Sequence, residues 1–149
     1  MALSKTPIRF HYLIAPFYFP DRTAIKQLLR SIFKEHCQKI EAVNYIFCSD
    51  KYLLNMNRNF LNHEYYTDVI TFELNRQGEA ILSDVYISLD RARDNAKRYN
   101  VSIYNEVLRL LIHGSLHLCG FKDKSKKDIT QIRKLEDYYL KHFVSRETI

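Results

Sequence analysis

The sequence predicts an α+β fold, a small mixed sheet of about four strands packed with about five helices around one central apolar helix. Three observations lead there. Four short runs alternate or concentrate β-branched and aromatic residues as strands do. Five longer runs carry apolar residues at helical spacing. The two kinds of run are mixed without the strict alternation of a doubly wound sheet. All three prolines also fall within the first twenty residues, which leaves the rest free to form continuous secondary structure.

In chain order, Ile8, Phe10, Tyr12 and Ile14 alternate with Arg9 and His11, a strand with one buried face that Pro16 and Pro20 end. From an N-cap at Asp21, the positions Ile25, Leu28, Leu29, Ile32, Phe33 and Cys37 mark an amphipathic helix, with His36 at its boundary. Val43 to Cys48 reads as a central strand. Ser49 or Asp50 then caps a helix through Leu53, Leu54, Met56, Asn57 and Phe60, and Asn62 to Tyr66 is a loop. Thr67 to Phe72 and Ala80 to Ile87 form an antiparallel hairpin about the turn Asn75-Arg76-Gln77-Gly78. Leu89 to Tyr99 is a charged helix with a weak apolar face of Ala92, Ala96 and Tyr99. Ser102 caps the long helix Ile103 to Leu118, apolar nearly all round and so expected at the centre, with Glu106 in a surface or capping role. Ile129, Ile132, Leu135, Tyr139, Leu140 and Phe143 mark a last amphipathic helix beyond a lysine-rich loop.

At 149 residues the chain fits a single domain, residues 1–149, with 46% hydrophobic and 27% charged residues as in ordinary globular proteins. No apolar run approaches a membrane span and the N-terminus lacks the pattern of a secretory signal, so no membrane partner is expected. Cys37, Cys48 and Cys119 are odd in number and widely spaced, as suits reduced thiols in a cytoplasm. The net charge of +6 and pI near 9.2 invite a polyanion. Lys122, Lys124, Lys126 and Lys127 concentrate that charge, either as an ordinary solvated loop or as phosphate contacts.

The end of the central helix holds the most specific signal. His113 and His117 are four apart, so both rings reach one point from one helix face. Gly120 stops the helix, and Asp123, three residues on, is placed to bring a carboxylate to the same point. Two imidazoles, one carboxylate and a position left for water describe a catalytic zinc site, since structural sites fill all four positions with protein ligands. A lone histidine on an apolar face would ordinarily be a hydrogen-bonded core residue; two at ligand spacing, with the stop and the carboxylate, favour a metal. Gly114 is costly inside a helix, which calls for close approach of a ligand or of another element. Cys119 is turned away from the ligand face and is assigned to packing.

Taken together, Thr67-Asp68-Val69-Ile70-Thr71-Phe72, Ser83-Asp84-Val85-Tyr86-Ile87-Ser88 and His113-Gly114-Ser115-Leu116-His117-Leu118-Cys119-Gly120-Phe121 resemble the YbeY family of endoribonucleases, over roughly residues 41 to 140. The resemblance implies one zinc ion per chain held by the motif, a cytoplasmic location, rRNA and the small ribosomal subunit as partners, and a role in 16S rRNA 3′ end maturation and ribosome quality control. It matches His113 and His117 to the first two ligands. The third is commonly a histidine, where this sequence has Asp123, an acceptable but anionic ligand that changes the metal's acidity and selectivity. An arginine that many members carry before the Thr67 stretch is matched by Leu61, and Arg58, one helical turn earlier, is either a phosphate clamp in its stead or an ordinary exposed arginine.

The reaction expected is single-strand-specific hydrolysis of an RNA phosphodiester by metal-activated water, through His113, His117 and Asp123, with Arg58, Lys122, Lys124, Lys126 and Lys127 on the RNA. No general base declares itself. Two alternatives stand beside it: a ribosome assembly or binding factor whose metal is mainly structural, and a zinc metallopeptidase, which the glycine at position 114 disfavours because His-Glu-x-x-His enzymes keep their glutamate there.

Overall fold

In the computed structural model the residues described are 7–14, 17, 19–62 and 67–147, with side chains described as far as Phe143. Pro16 and the loop positions 63–66 lie outside them. The order of elements is β1 (Ile8–Tyr12), α1 (Arg22–Glu35), β2 (Ile40–Cys48), α2 (Asp50–Leu61), β3 (Val69–Glu73), β4 (Ile81–Ser88), α3 (Leu89–Tyr99), α4 (Ile103–Leu118) and α5 (Lys126–Glu147). The strands form one mixed sheet in the order β1-β2-β4-β3, parallel except for the antiparallel β3/β4 hairpin. The α+β architecture and the central placement of β2 are therefore as expected.

Serine caps set three of the helix starts. Ser49, Ser88 and Ser102 accept the backbone N–H of Tyr52, Arg91 and Asn105 at 3.0 to 3.1 Å, each satisfying a donor the first helical turn leaves open. Asp21 stands at the start of α1 but its side chain makes no cap bond. The apolar stripe of α1 stops at Phe33: Cys37, expected in it, lies past the helix end in a left-handed turn (φ 57°) and is exposed. Phe60 is likewise 69% exposed rather than part of a buried face, because the inward side of α2 is filled by Leu53, Leu54 and Asn57. Gly78 takes φ +87° in the hairpin turn, a conformation that favours glycine.

Helix α4 is the organising element. Val107, Leu108, Leu110, Leu111, Ile112 and Leu116 are all essentially buried, and the helix touches α1, α3, α5, β3 and β4. Gly114 explains how close it comes to the sheet. A Cβ at this position would meet Val85 Cγ1 at 2.8 Å and Val69 Cγ1 at 3.4 Å, so it is the sheet that requires the bare backbone. Val85 faces α4, while its neighbour Tyr86 points to the opposite face and stacks on Tyr52 of α2. The sheet is thus covered by α4 on one side and partly by α2 on the other. No helix among the described residues is long and apolar enough to cross a membrane.

Candidate metal centre

The last turn of α4 and the turn after it build the site. Gly120 (φ +101°) closes α4 with two reversed bonds, its own N–H to the His117 carbonyl at 3.0 Å and the Phe121 N–H to the Leu116 carbonyl at 3.1 Å. The chain folds back, and Asp123 arrives beside the two histidines. His113 Nε2 and His117 Nε2 are 2.9 Å apart, and Asp123 Oδ2 is 3.4 Å from the first and 3.3 Å from the second. Ligands 2.0 to 2.2 Å from a tetrahedral ion stand roughly 3.3 to 3.6 Å from one another, so the two edges to Asp123 have the size of a zinc coordination face, and the His113–His117 edge is about 0.4 Å shorter than one. Two imidazole nitrogens at 2.9 Å also need a proton or a cation between them, since both cannot present lone pairs there. The residues present fit a metal.

A buried carboxylate orients the first ligand. Glu136 of α5, 2% exposed, places Oε2 2.6 Å from His113 Nδ1, which holds that nitrogen as the donor and turns Nε2 toward the other ligands. Its Oε1 accepts from Arg109 at 2.8 Å, and Arg109 in turn donates to Glu106 at 2.6 and 2.9 Å. Asn95 of α3 donates to Glu106 at 3.0 Å and to Asp68 at 3.3 Å. Glu106 is therefore 1% exposed in an ion-paired chain, neither a surface nor a capping residue, because its face of α4 turns toward α3 and α5.

The electrostatics separate the two histidines. Burial opposes charge on His113, yet the hydrogen bond and charge of Glu136, with Asp68 and Asp123 beyond, outweigh it and raise the pKa. His117 is lowered, first by burial and then by the neighbouring His113. Burial works against ionised Glu136 too, but His113 and Arg109 hold its carboxyl below the usual value. The Cys119 thiol is pushed up to about 12 by burial, which makes it inert and agrees with a packing role.

The structure brings His113, His117 and Asp123 together and leaves the expected RNA contacts outside that group. Arg58 is exposed in the last turn of α2 and does not line the cavity next to the ligands. Lys122 and Lys124 are exposed on the turn around Asp123. Lys126 and Lys127 are not in a loop: they open α5, where Ser125 Oγ accepts the Asp128 N–H at 3.0 Å and Asp128 accepts the Ser125 N–H at 3.3 Å, a reciprocal cap that starts the helix one turn earlier than its apolar stripe suggests. The cavity, about 370 Å³, is instead lined by Asp68, Asn95, Arg98, Arg109, Arg133 and Glu136 together with His113 and Asp123. A larger hollow of about 630 Å³ runs along α1 and the start of β2 and contains none of the ligands.

Sequence reading missed Glu136, Arg109, Asp68 and Asn95. For Glu136 a signal existed. It lies four residues after Ile132 and three before Tyr139, inside the apolar stripe of α5, where a carboxylate must have a buried partner.

Residues 19–144 match the family model described as Endoribonuclease YbeY. Among curated proteins of that name, the one from Cytophaga hutchinsonii is 47% identical over 117 residues, covering 78% of this chain and 82% of the relative. The Flavobacterium psychrophilum protein is 41% identical over 136 residues, 91% of this chain and 96% of the relative. In fold, the solution structure of TM1509 from Thermotoga maritima is similar with a TM-score of 0.63 at 23% identity, covering 95% of this chain and 91% of that one. With a family model over most of its length and relatives of this identity, the chain belongs to the YbeY endoribonuclease family.

Proposed function

We propose that this chain is a metal-dependent endoribonuclease that cuts single-stranded RNA, carried by one domain spanning residues 1–149 and acting in the cytoplasm on 16S rRNA 3′ end maturation and ribosome quality control, with rRNA and the small ribosomal subunit as partners. The observation that carries the reading is the triangle of His113, His117 and Asp123, braced by Glu136 and open to a polar cavity. One zinc ion per chain, held by those three side chains, would supply Lewis acidity toward a phosphoryl oxygen and a water acidified to a pKa of about 7. His113 is held in one tautomer by Glu136, so its Nε2 stays a ligand. Of the carboxylates lining the cavity, Asp123 belongs to the ligands and Glu136 is committed to His113 and Arg109; Asp68 is left to take the proton from the attacking water. Arg58, Lys122, Lys124, Lys126 and Lys127, exposed and basic, hold RNA phosphates around the site.

The test is elemental analysis of protein purified without chelator, in parallel with cleavage of a labelled single-stranded RNA and its duplex. About one zinc per chain, with cleavage of the single strand lost in chelator and regained with zinc, is the expected result. Metal-free protein that cuts equally well would overturn metal dependence. A binding factor with a mainly structural metal is the second reading: it wins if His117→Ala supports rRNA maturation in cells while removal of the lysines does not. A peptidase is opposed by Gly114 itself. Even a methyl group there meets Val85 at 2.8 Å, so the helix has no room for a glutamate at that position.

A further inference from the structure

Two arginines beside the ligands have no stated task. Arg98, near the end of α3, and Arg133, on α5, are exposed, line the cavity shared with His113 and Asp123, and form no ion pair among the described residues. Arg109, between them in the lining, differs: both of its ends are taken by Glu106 and Glu136. The same cavity borders Tyr99, whose side is 47% exposed at the last position of α3. A cavity with two unengaged guanidinium forks is built for an anion, since such forks match phosphate oxygens in pairs. An open aromatic ring next to phosphate contacts is how proteins take hold of an unpaired base.

We propose that this cavity is a nucleotide subsite flanking the scissile position, in which Arg98 and Arg133 each contact a backbone phosphate and Tyr99 stacks on a base. The proposal rests on the nuclease reading above and deepens it. It also gives a physical origin for single-strand preference, because a base already stacked in a duplex cannot lie on Tyr99. The neighbouring carboxylates do not cancel this basic pair: Glu136 is paired with Arg109 and His113, and Asp68, which accepts from the neutral Asn95 amide and keeps its charge, offsets at most one of the two guanidinium groups. Phosphate binding would thus fall to the two arginines that the internal network leaves over, and the four lysines near Asp123 would add a more diffuse attraction.

The experiment is fluorescence anisotropy of a short single-stranded oligonucleotide with the zinc-loaded full chain over a range of salt. Each phosphate contact on a single strand contributes about 0.7 to the slope of log affinity against log salt. Arg98→Gln with Arg133→Gln should lower that slope by about 1.4 relative to the unaltered protein. Arg98→Lys with Arg133→Lys, which keeps both charges, should restore most of it, and so separates a lost contact from a damaged fold. Tyr99→Ala should weaken binding by about five-fold or more with the slope unchanged. Lys34→Gln with Lys39→Gln, in the separate hollow along α1, removes the same charge and should leave the slope alone. A parental slope in the arginine double variant, or an equal fall in the lysine one, overturns the subsite. Cleavage of the matching RNA distinguishes the two readings. A protein that binds but never cuts overturns the nuclease and leaves the subsite standing, whereas cutting combined with an unaltered slope in the arginine double variant overturns the subsite alone.

Discussion

The two sides of the metal centre are built to different standards. His113 stands in the middle of the α4/α5 contact, its ring fixed by a carboxylate that is itself fixed by Arg109, and every member of that chain is at least mostly buried. Asp123 stands 46% exposed on a turn, with lysines on either side and no brace among the described residues beyond the histidines. The difference teaches where precision comes from. Two candidate ligands on one rigid helix, one of them braced, would set the position of an ion, and the third would complete its charge and coordination. On that account the third position makes the smaller demand on geometry, and a carboxylate suffices there.

The comparison breaks most severely at His113. His113→Ala should abolish zinc binding and also leave Glu136 short of a buried partner, at a cost of about 1 to 3 kcal/mol, seen as a lower denaturation midpoint even in metal-free protein. His117→Ala should lose the metal equally but cost less of that metal-free stability, because its ring is more exposed and its carboxylate neighbour, Asp123, is half-exposed to water rather than buried. Equal destabilisation by both would show that the brace does not matter. Next comes the brace itself: Glu136→Gln should weaken zinc by about 10- to 100-fold in a competition titration, and unchanged affinity would mean that His113 is oriented by packing alone. The smallest effects belong to the exposed side. Asp123→Asn should weaken zinc but leave the fold untouched, and Asp123→His should tighten it; metal content after dialysis reads both. If Asp123→Asn retains metal like the parent, the carboxylate does not face the ion.

How much of this was legible follows from the range of the interactions. The caps at Ser49 and Ser102, the bounds of α3 and α4, and the grouping of His113, His117 and Asp123 depend on neighbours within about ten residues, and periodicity and turn chemistry report such neighbours directly. The Glu136 brace depends on α5 folding back over α4, across 23 positions, and nothing local announces it beyond a charge out of place in an apolar stripe. Glu106 was misread for the same reason. A charged side chain on a mostly apolar helix reads as surface until its partner is known, and the partner Arg109 is kept in place by a third residue on another helix. Cys37 and Phe60 show the opposite error. Each continues a helical stripe by spacing, but one lies beyond the helix end and the other on its outer side.

The bare position at Gly114 has a consequence for how such a protein can change over generations. Acquiring the glutamate of a His-Glu-x-x-His enzyme is one or two base changes from any glycine codon, yet here any side chain at that position first collides with Val85, and an overpacked core of this kind costs about 1 to 3 kcal/mol. Relief would need a smaller residue at position 85 in the same lineage, and that residue alone would leave a void under α4. Each single step therefore loses stability before the pair gains anything. The sheet, by pressing so closely on the helix, holds this scaffold away from a neighbouring chemistry that its ligand spacing would otherwise permit.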